Sequence, residues 1–109
     1  MSARKPRRDR SYLIYKIVCK VNLECYVGVV LRDGRAVQKT LRRRLQQHID
    51  RALSLGREWE LHKAIRKHGA DQFSIECLET VRGKRASHSR ETELMHEHGV
   101  TLNTKLRRW

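Results

Sequence analysis

Ser11-Tyr12-Leu13-Ile14-Tyr15-Lys16-Ile17-Val18-Cys19 and Cys25-Tyr26-Val27-Gly28-Val29-Val30-Leu31 are both rich in β-branched and aromatic side chains. The link between them, Lys20-Val21-Asn22-Leu23-Glu24, is short, polar and turn-capable at Asn22. Two short strands joined this way predict a β-hairpin. Asp33-Gly34 marks the next break. The pattern then turns helical. Val37, Leu41, Leu45, Ile49, Ala52 and Leu53 recur at helical spacing over 37–54, and Gly56 stands where a C-terminal cap belongs. A second helix is expected over 59–68, with Leu61, Ala64 and Ile65 inward and Gly69 as its stop. Residues 73–81 alternate as a third strand, and Arg82-Gly83-Lys84-Arg85 reads as a basic loop. Residues 87–98 form a third helix with Leu94 and Met95 inward and Gly99 after it. The order ββααβα predicts a small α+β domain, a three-stranded antiparallel sheet flanked by three helices.

A chain of 109 residues and 12.9 kDa holds one such domain. We expect a disordered basic arm over 1–10, the domain over 11–103 and a basic tail over 104–109. Lys and Arg number 25 against 12 Asp and Glu, a formal charge of +13. No ordinary metabolic enzyme needs that excess, and its natural partner is a polyanion, most often nucleic acid. No run of about 18 apolar residues is present, so no transmembrane helix and no membrane partner are expected. The arm (Arg4, Lys5, Arg7, Arg8, Arg10) lacks the apolar stretch of a signal peptide. It can track phosphates or serve as a solubilising tail, and both readings stand. Cys19, Cys25 and Cys77 make an odd count that suits reduced thiols in an intracellular protein. With the scattered histidines they show no paired zinc spacing.

Polar residues fall where the core should be. At roughly 100° per residue, His48 lies inside the apolar stripe of the first helix and Arg44 at its edge. Alone, His48 reads as a satisfied core histidine and Arg44 as a side chain reaching back to water. The pair at i, i+4 shifts the reading toward a cleft, because burying such groups without partners is costly. On the third helix Glu91 turns toward the core side, while Glu93 and Glu97 point elsewhere. Glu91 either pairs with an Arg, such as Arg44, or holds a hard cation such as Mg²⁺. Gly28 inside a strand suggests a bulge or a close approach by a ligand backbone. Trp59 reads as a core cover.

Taken in order, these residues resemble the GIY-YIG nucleases. The first motif corresponds to Leu13-Ile14-Tyr15 and the second to Tyr26-Val27-Gly28, the two tyrosines lying 11 positions apart. Arg44 and His48 match the helix element, Glu91 the metal-binding Glu of the last helix, and Asn103 the closing Asn. Lys63-Ala64-Ile65-Arg66-Lys67-His68-Gly69 followed by Phe73-Ser74-Ile75-Glu76 is similar to the phage and homing-endonuclease branch, which implies a phage or other mobile-element protein. The resemblance spans about residues 11–103. The first motif's glycine is Leu13 here.

What the resemblance implies is a Mg²⁺- (or Mn²⁺-) dependent DNA endonuclease. Tyr15, Tyr26, Arg44, His48 and Glu91 would be its catalytic set. Glu91 would hold the metal, Tyr15 would activate water, Tyr26 would position the water or share that role, Arg44 would clamp the phosphate, and His48 would hydrogen-bond the nucleophile network or relay a proton. Gly28 would admit the DNA backbone. The segment before the helix, with Arg32, Arg35, Lys39, Arg42 and Arg43, would contact DNA, as would Asn103. His62, in the second helix, is assigned no role. A separate DNA-binding region follows the nuclease module in the homing branch. With none expected here, specificity would come from the arm, dimerisation or a separate partner, or would be low. The competing reading is a non-catalytic small basic DNA- or RNA-binding protein. It has no use for an inward Glu, because a carboxylate repels phosphate.

Overall fold

The computed structural model describes residues 10–32, 34, 36–55 and 59–103. The arm over 1–9, Arg35, the cap expected at Gly56 and the tail over 104–109 lie outside them. The hairpin forms as the residues dictate. Strand β1 (Ser11–Cys19) pairs antiparallel with β2 (Cys25–Leu31), and Tyr15 lies opposite Gly28. Asn22 Oδ1 accepts the Glu24 N–H at 3.1 Å, but the left-handed residue of the turn is Leu23, with φ of 65°. Helix α1 (Val37–Ser54) follows, then α2 (Glu60–His68), one 3₁₀ turn (Ala70–Gln72), β3 (Phe73–Arg82) and α3 (Lys84–His98). β3 joins the free side of β1, so the sheet order is β2-β1-β3 and all pairs are antiparallel. The architecture is the expected ββααβα.

Both faces of the sheet are covered. Leu13, Tyr15, Ile17 and Cys19 of β1 pack with Leu41 and Ala52 of α1 and Leu61, Ala64 and Ile65 of α2. Ile14 and Val27 point the other way and pack with Leu94 of α3. Period-two alternation thus sends one strand's residues into two cores. Burying each large aliphatic side chain contributes about 1.5–3 kcal/mol.

β3 reaches both cores by a different device. Tyr15 lies opposite Cys77, but Ile14 lies opposite Glu79, leaving Leu78 as an extra residue. This β-bulge reverses the alternation within the strand. Ile75 and Cys77 pack toward α1 and α2, whereas Leu78 and Val81 pack toward α3. Of the two readings of Gly28, the bulge is not found in β2, which pairs regularly through Gly28; the bulge lies in β3, beside Tyr15.

Two local expectations are corrected. Leu53 is 65% exposed, because it sits about 100° round the helix from its fully buried neighbour Ala52 and only one of the two can occupy the stripe. Lys84 and Arg85 are not in a loop but on the first turn of α3. The chain turns at Gly83, with φ of 95°, and Ser87 is small enough to be buried there with its hydroxyl on the Lys84 carbonyl at 2.7 Å.

Candidate active site

The centre of the site is the Tyr15 phenol. It projects from the middle of the central strand toward α1 and is fully buried. Its ring lies over Gly28 on the neighbouring strand. A Cβ on Gly28 would stand 2.6 Å from the Tyr15 hydroxyl oxygen, 2.7 Å from Cζ and 2.9 Å from Tyr26 Cε2. Gly28 is itself buried, so the space it vacates holds the tyrosine rather than opening to a ligand backbone. Tyr26, two residues earlier on the same face of β2, brings its ring to 6.1 Å from that of Tyr15, close enough for each phenol to affect the ionisation of the other.

α1 supplies the next two groups. Residues four apart share a helix face, so Arg44 and His48 both reach the phenol. Arg44 Nε donates to the Tyr15 oxygen at 3.1 Å, and His48 Nε2 lies 3.0 Å from the same oxygen. Arg44 Nη1 donates to Gln47 Oε1 at 3.0 Å. The consecutive Arg42, Arg43 and Arg44 diverge by about 100° each. It is Arg44 that meets Tyr15, while Arg42, Arg43 and Lys39 are exposed and Arg32 is half-buried.

Charge is costly in this cluster. Burial pushes the Tyr15 phenol up despite the Arg44 guanidinium, and burial pushes Tyr26 far above the ordinary phenol range. Burial, then the neighbouring charges of Arg44, His62 and Arg51, push His48 down to about 3. His48 is therefore a neutral imidazole at neutral pH. Because its folded-state value lies below the ordinary 6.5, the unfolded chain takes up a proton first as pH falls. The contribution of neutral His48 is present above pH 6.5 and is lost as pH drops toward 3. Between pH 7 and pH 5 wild type should lose about 2 kcal/mol more stability than His48→Gln. Denaturant melts of both proteins at the two pH values test this, and parallel losses would refute it.

A second histidine lies behind the first. His62 on α2 is fully buried, its Nε2 is 3.3 Å from His48 Nδ1, and Trp59 lies against its ring with centroids 5.0 Å apart. Trp59 is 41% exposed, so it covers His62 rather than the main core. His62 is assigned no role from its sequence context. Its only trace there is an inward polar position beside Leu61 on α2. A cleft of about 200 Å³ opens beside these groups, lined by Tyr26, His48, Trp59, Leu61, Leu102 and Asn103.

Glu91 comes from α3. Its side chain is 16% exposed, and its charge acts on both tyrosines. Burial raises its carboxyl above the usual carboxylate range, against the pull of His88, whose Nδ1 is 3.5 Å away. Of the two partners considered for Glu91, Arg44 is directed instead to Tyr15 and Gln47. A desolvated carboxylate with this weak support suits a hard cation. Among the described residues no three His, Cys, Asp or Glu side chains cluster for a metal. A cation held by Glu91 would therefore complete its shell from water and substrate oxygens, as Mg²⁺ commonly does.

Asn103 has a structural task. Its Oδ1 accepts the Val27 N–H at 3.0 Å, and its Nδ2 donates to the Val27 carbonyl at 2.9 Å. Arg35 lies outside the described residues.

No protein-family model matches this chain, and no curated protein matches it in sequence. Two solved structures match it in fold. One is a Glu-to-Ala variant of the catalytic domain of intron endonuclease I-TevI, with TM-score 0.66 and 20% identity over 88% of this chain and 92% of that one. The other is the catalytic domain of homing endonuclease I-TevI, with TM-score 0.58 and 24% identity over 84% and 92%. The chain shares the fold of a GIY-YIG homing-endonuclease catalytic domain.

Proposed function

We propose that the protein is a divalent-metal-dependent DNA endonuclease that hydrolyses phosphodiester bonds at a single GIY-YIG-type site. The observation that carries this reading is the buried network in which one phenol oxygen meets both a guanidinium and a neutral imidazole. The likeness to an endonuclease catalytic domain supports it.

The chemistry follows from the protonation states. Tyr15 is a neutral phenol at rest, because burial opposes the phenolate. It can take a proton from an attacking water only if its own proton leaves in the same step. His48 Nε2 is the acceptor in reach, and it is neutral and therefore able to accept. Tyr26, whose ring lies 6.1 Å from that of Tyr15, would orient the attacking water. Arg44 offers its remaining N–H groups to a phosphate, for which a planar guanidinium is suited. Glu91 would hold the Mg²⁺ (or Mn²⁺), which when bound stabilises charge on the phosphate and the leaving oxygen. The products would carry 5′-phosphate and 3′-hydroxyl ends. Exposed Lys39, Arg42 and Arg43 on α1 would carry the DNA backbone toward the site. A groove of about 510 Å³ that includes Arg10 and Arg32 would extend that track. Arg35 would join the DNA-binding set, whereas Gly28 and Asn103 would serve it only by shaping β2.

The test is incubation of purified protein with supercoiled plasmid, with Mg²⁺ and with EDTA. Relaxed or linear product with Mg²⁺ alone supports the nuclease. A gel shift without cleavage under several divalent ions would favour the non-catalytic binder. Arg44→Ala should lower the cleavage rate at least about 100-fold, roughly 2.7 kcal/mol of transition-state stabilisation. Arg42→Ala should instead weaken DNA binding and reduce its salt dependence, with little loss of rate at saturation. Equal losses in the two variants would mean that Arg44 has no special place at the phosphate.

A further inference from the structure

We infer that His62 is a positioning residue, which fixes the tautomer and ring orientation of His48 so that Nε2 carries its lone pair toward Tyr15. The inference rests on the nuclease reading for its purpose, but its geometry stands apart from that reading.

The direction of each hydrogen bond in the chain can be derived. A guanidinium has donors and no acceptor. The Arg44 Nε–H therefore donates to the Tyr15 oxygen at 3.1 Å. His48 Nε2 is the other group bonded to that oxygen, and of the two only the imidazole nitrogen can accept. The remaining bond of a neutral Tyr15 is its own O–H, and His48 Nε2 at 3.0 Å receives it. A neutral imidazole that accepts at Nε2 carries its proton on Nδ1. That proton points at His62 Nε2, 3.3 Å away, which must then be an acceptor. The order is Arg44 to Tyr15 to His48 to His62.

The arrangement has the logic of a nucleophile, a base and a third group that orients the base. In the step proposed above, the proton of water passes to the Tyr15 oxygen and the Tyr15 proton passes to His48 Nε2. His48 becomes an imidazolium, and its Nδ1–H bond to His62 then joins a charged donor to a neutral acceptor. Such a bond is stronger than a neutral pair. It offsets part of the burial cost that, with the repulsion from Arg44, disfavours a charged His48. The environment keeps this third group in place: His62 is fully buried, with Trp59 against its ring.

The test uses His62→Gln and His62→Leu. Glutamine offers an amide oxygen to the His48 Nδ1–H, whereas leucine offers bulk without an acceptor. His62→Gln should cleave within about threefold of wild type at saturating DNA. His62→Leu should lose roughly 10- to 100-fold in kcat, the range for a bond to a charged group, with DNA affinity unchanged. Thermal melting confirms folding of each. The second readout needs no activity: nitrogen-15 NMR of His48 in the protein without DNA. Wild type and His62→Gln should show the Nδ1–H tautomer, and His62→Leu a mixture. A wild-type spectrum with the proton on Nε2 would overturn the inference. So would a His62→Leu protein as active as His62→Gln, since packing alone would then suffice. If His62→Leu does not fold, His62→Met, which likewise offers no strong acceptor, takes its place with the same expected result. If wild type cleaves nothing, the nuclease reading fails, and the spectrum still reports whether His62 sets the tautomer.

Discussion

Glu91→Ala should abolish cleavage while the protein stays folded and binds DNA as tightly as wild type or tighter. We expect the rate with Mg²⁺ to fall by at least about 1,000-fold, roughly 4 kcal/mol in the barrier. Glu91 is the acidic group of the site, and nothing in the cluster of tyrosines, histidines and Arg44 can replace an anionic oxygen ligand. The stability side of the prediction follows from its burial. Desolvation disfavours the charged carboxylate, and its ion partner is His88 at 3.5 Å. Removing it should leave the melting temperature unchanged or raised. The effect on binding has the same origin, since a negative group facing phosphate is lost. Cleavage of plasmid, gel shift in EDTA and thermal melting check the three parts. Retained Mg²⁺-dependent cleavage by folded Glu91→Ala would remove Glu91 from the metal site.

Gly28→Ala should damage both the fold and the chemistry through one methyl group. In an ordinary strand this substitution helps, because glycine weakens strand interiors. Here the new Cβ would meet the Tyr15 hydroxyl at 2.6 Å and Cζ at 2.7 Å. The ring has nowhere to go. It is fully buried, and its oxygen is held by Arg44 and His48. We expect a loss of about 1–3 kcal/mol, the usual range for an overpacked core. Displacing the phenol should also lower the cleavage rate more than 100-fold, the scale of a misplacement of about 1 Å. Adding Tyr15→Phe should relieve part of the strain, because the hydroxyl contact goes and the Cζ contact stays. A Gly28→Ala protein that melts higher than wild type would contradict this account.

Much of the fold was legible because its signals are local. The hairpin strands end at the residues where their β-branched runs end, and α1 spans the residues of its apolar period. Arg44 and His48 were readable as a pair because helical periodicity is a strong constraint on direction. Three features were not readable, two of them for a long-range reason. The bulge at Leu78 depends on the pairing of β3 with β1. The apolar positions 73, 75, 77, 78 and 81 fit no single alternation, which is a trace of the bulge but does not locate it. Ser87 was read as the start of α3 because the three residues before it are charged or small, yet helix geometry tolerates Lys84 and Arg85 on an exposed first turn. His62 was passed over because the contact that matters joins two helices, and no spacing within either helix encodes it. Gly28 was noticed for the right reason, a missing side chain, but the occupant of its space came from the neighbouring strand.

The bond between Asn103 and β2 closes part of a sheet edge. β2 is the outer strand on its side of the sheet, and an outer strand offers backbone groups to any strand that passes. Val27 would be one such point. Its N–H and carbonyl are taken by a single side-chain amide, and the Cys25 carbonyl is taken by the N–H groups of Thr101 and Leu102. Residues 101–103 thus act as a short imitation of a fourth strand, one that satisfies the edge without extending it. A chain cut before Thr101 would lose Leu102 from the core and bare a seam along which two hairpins could join.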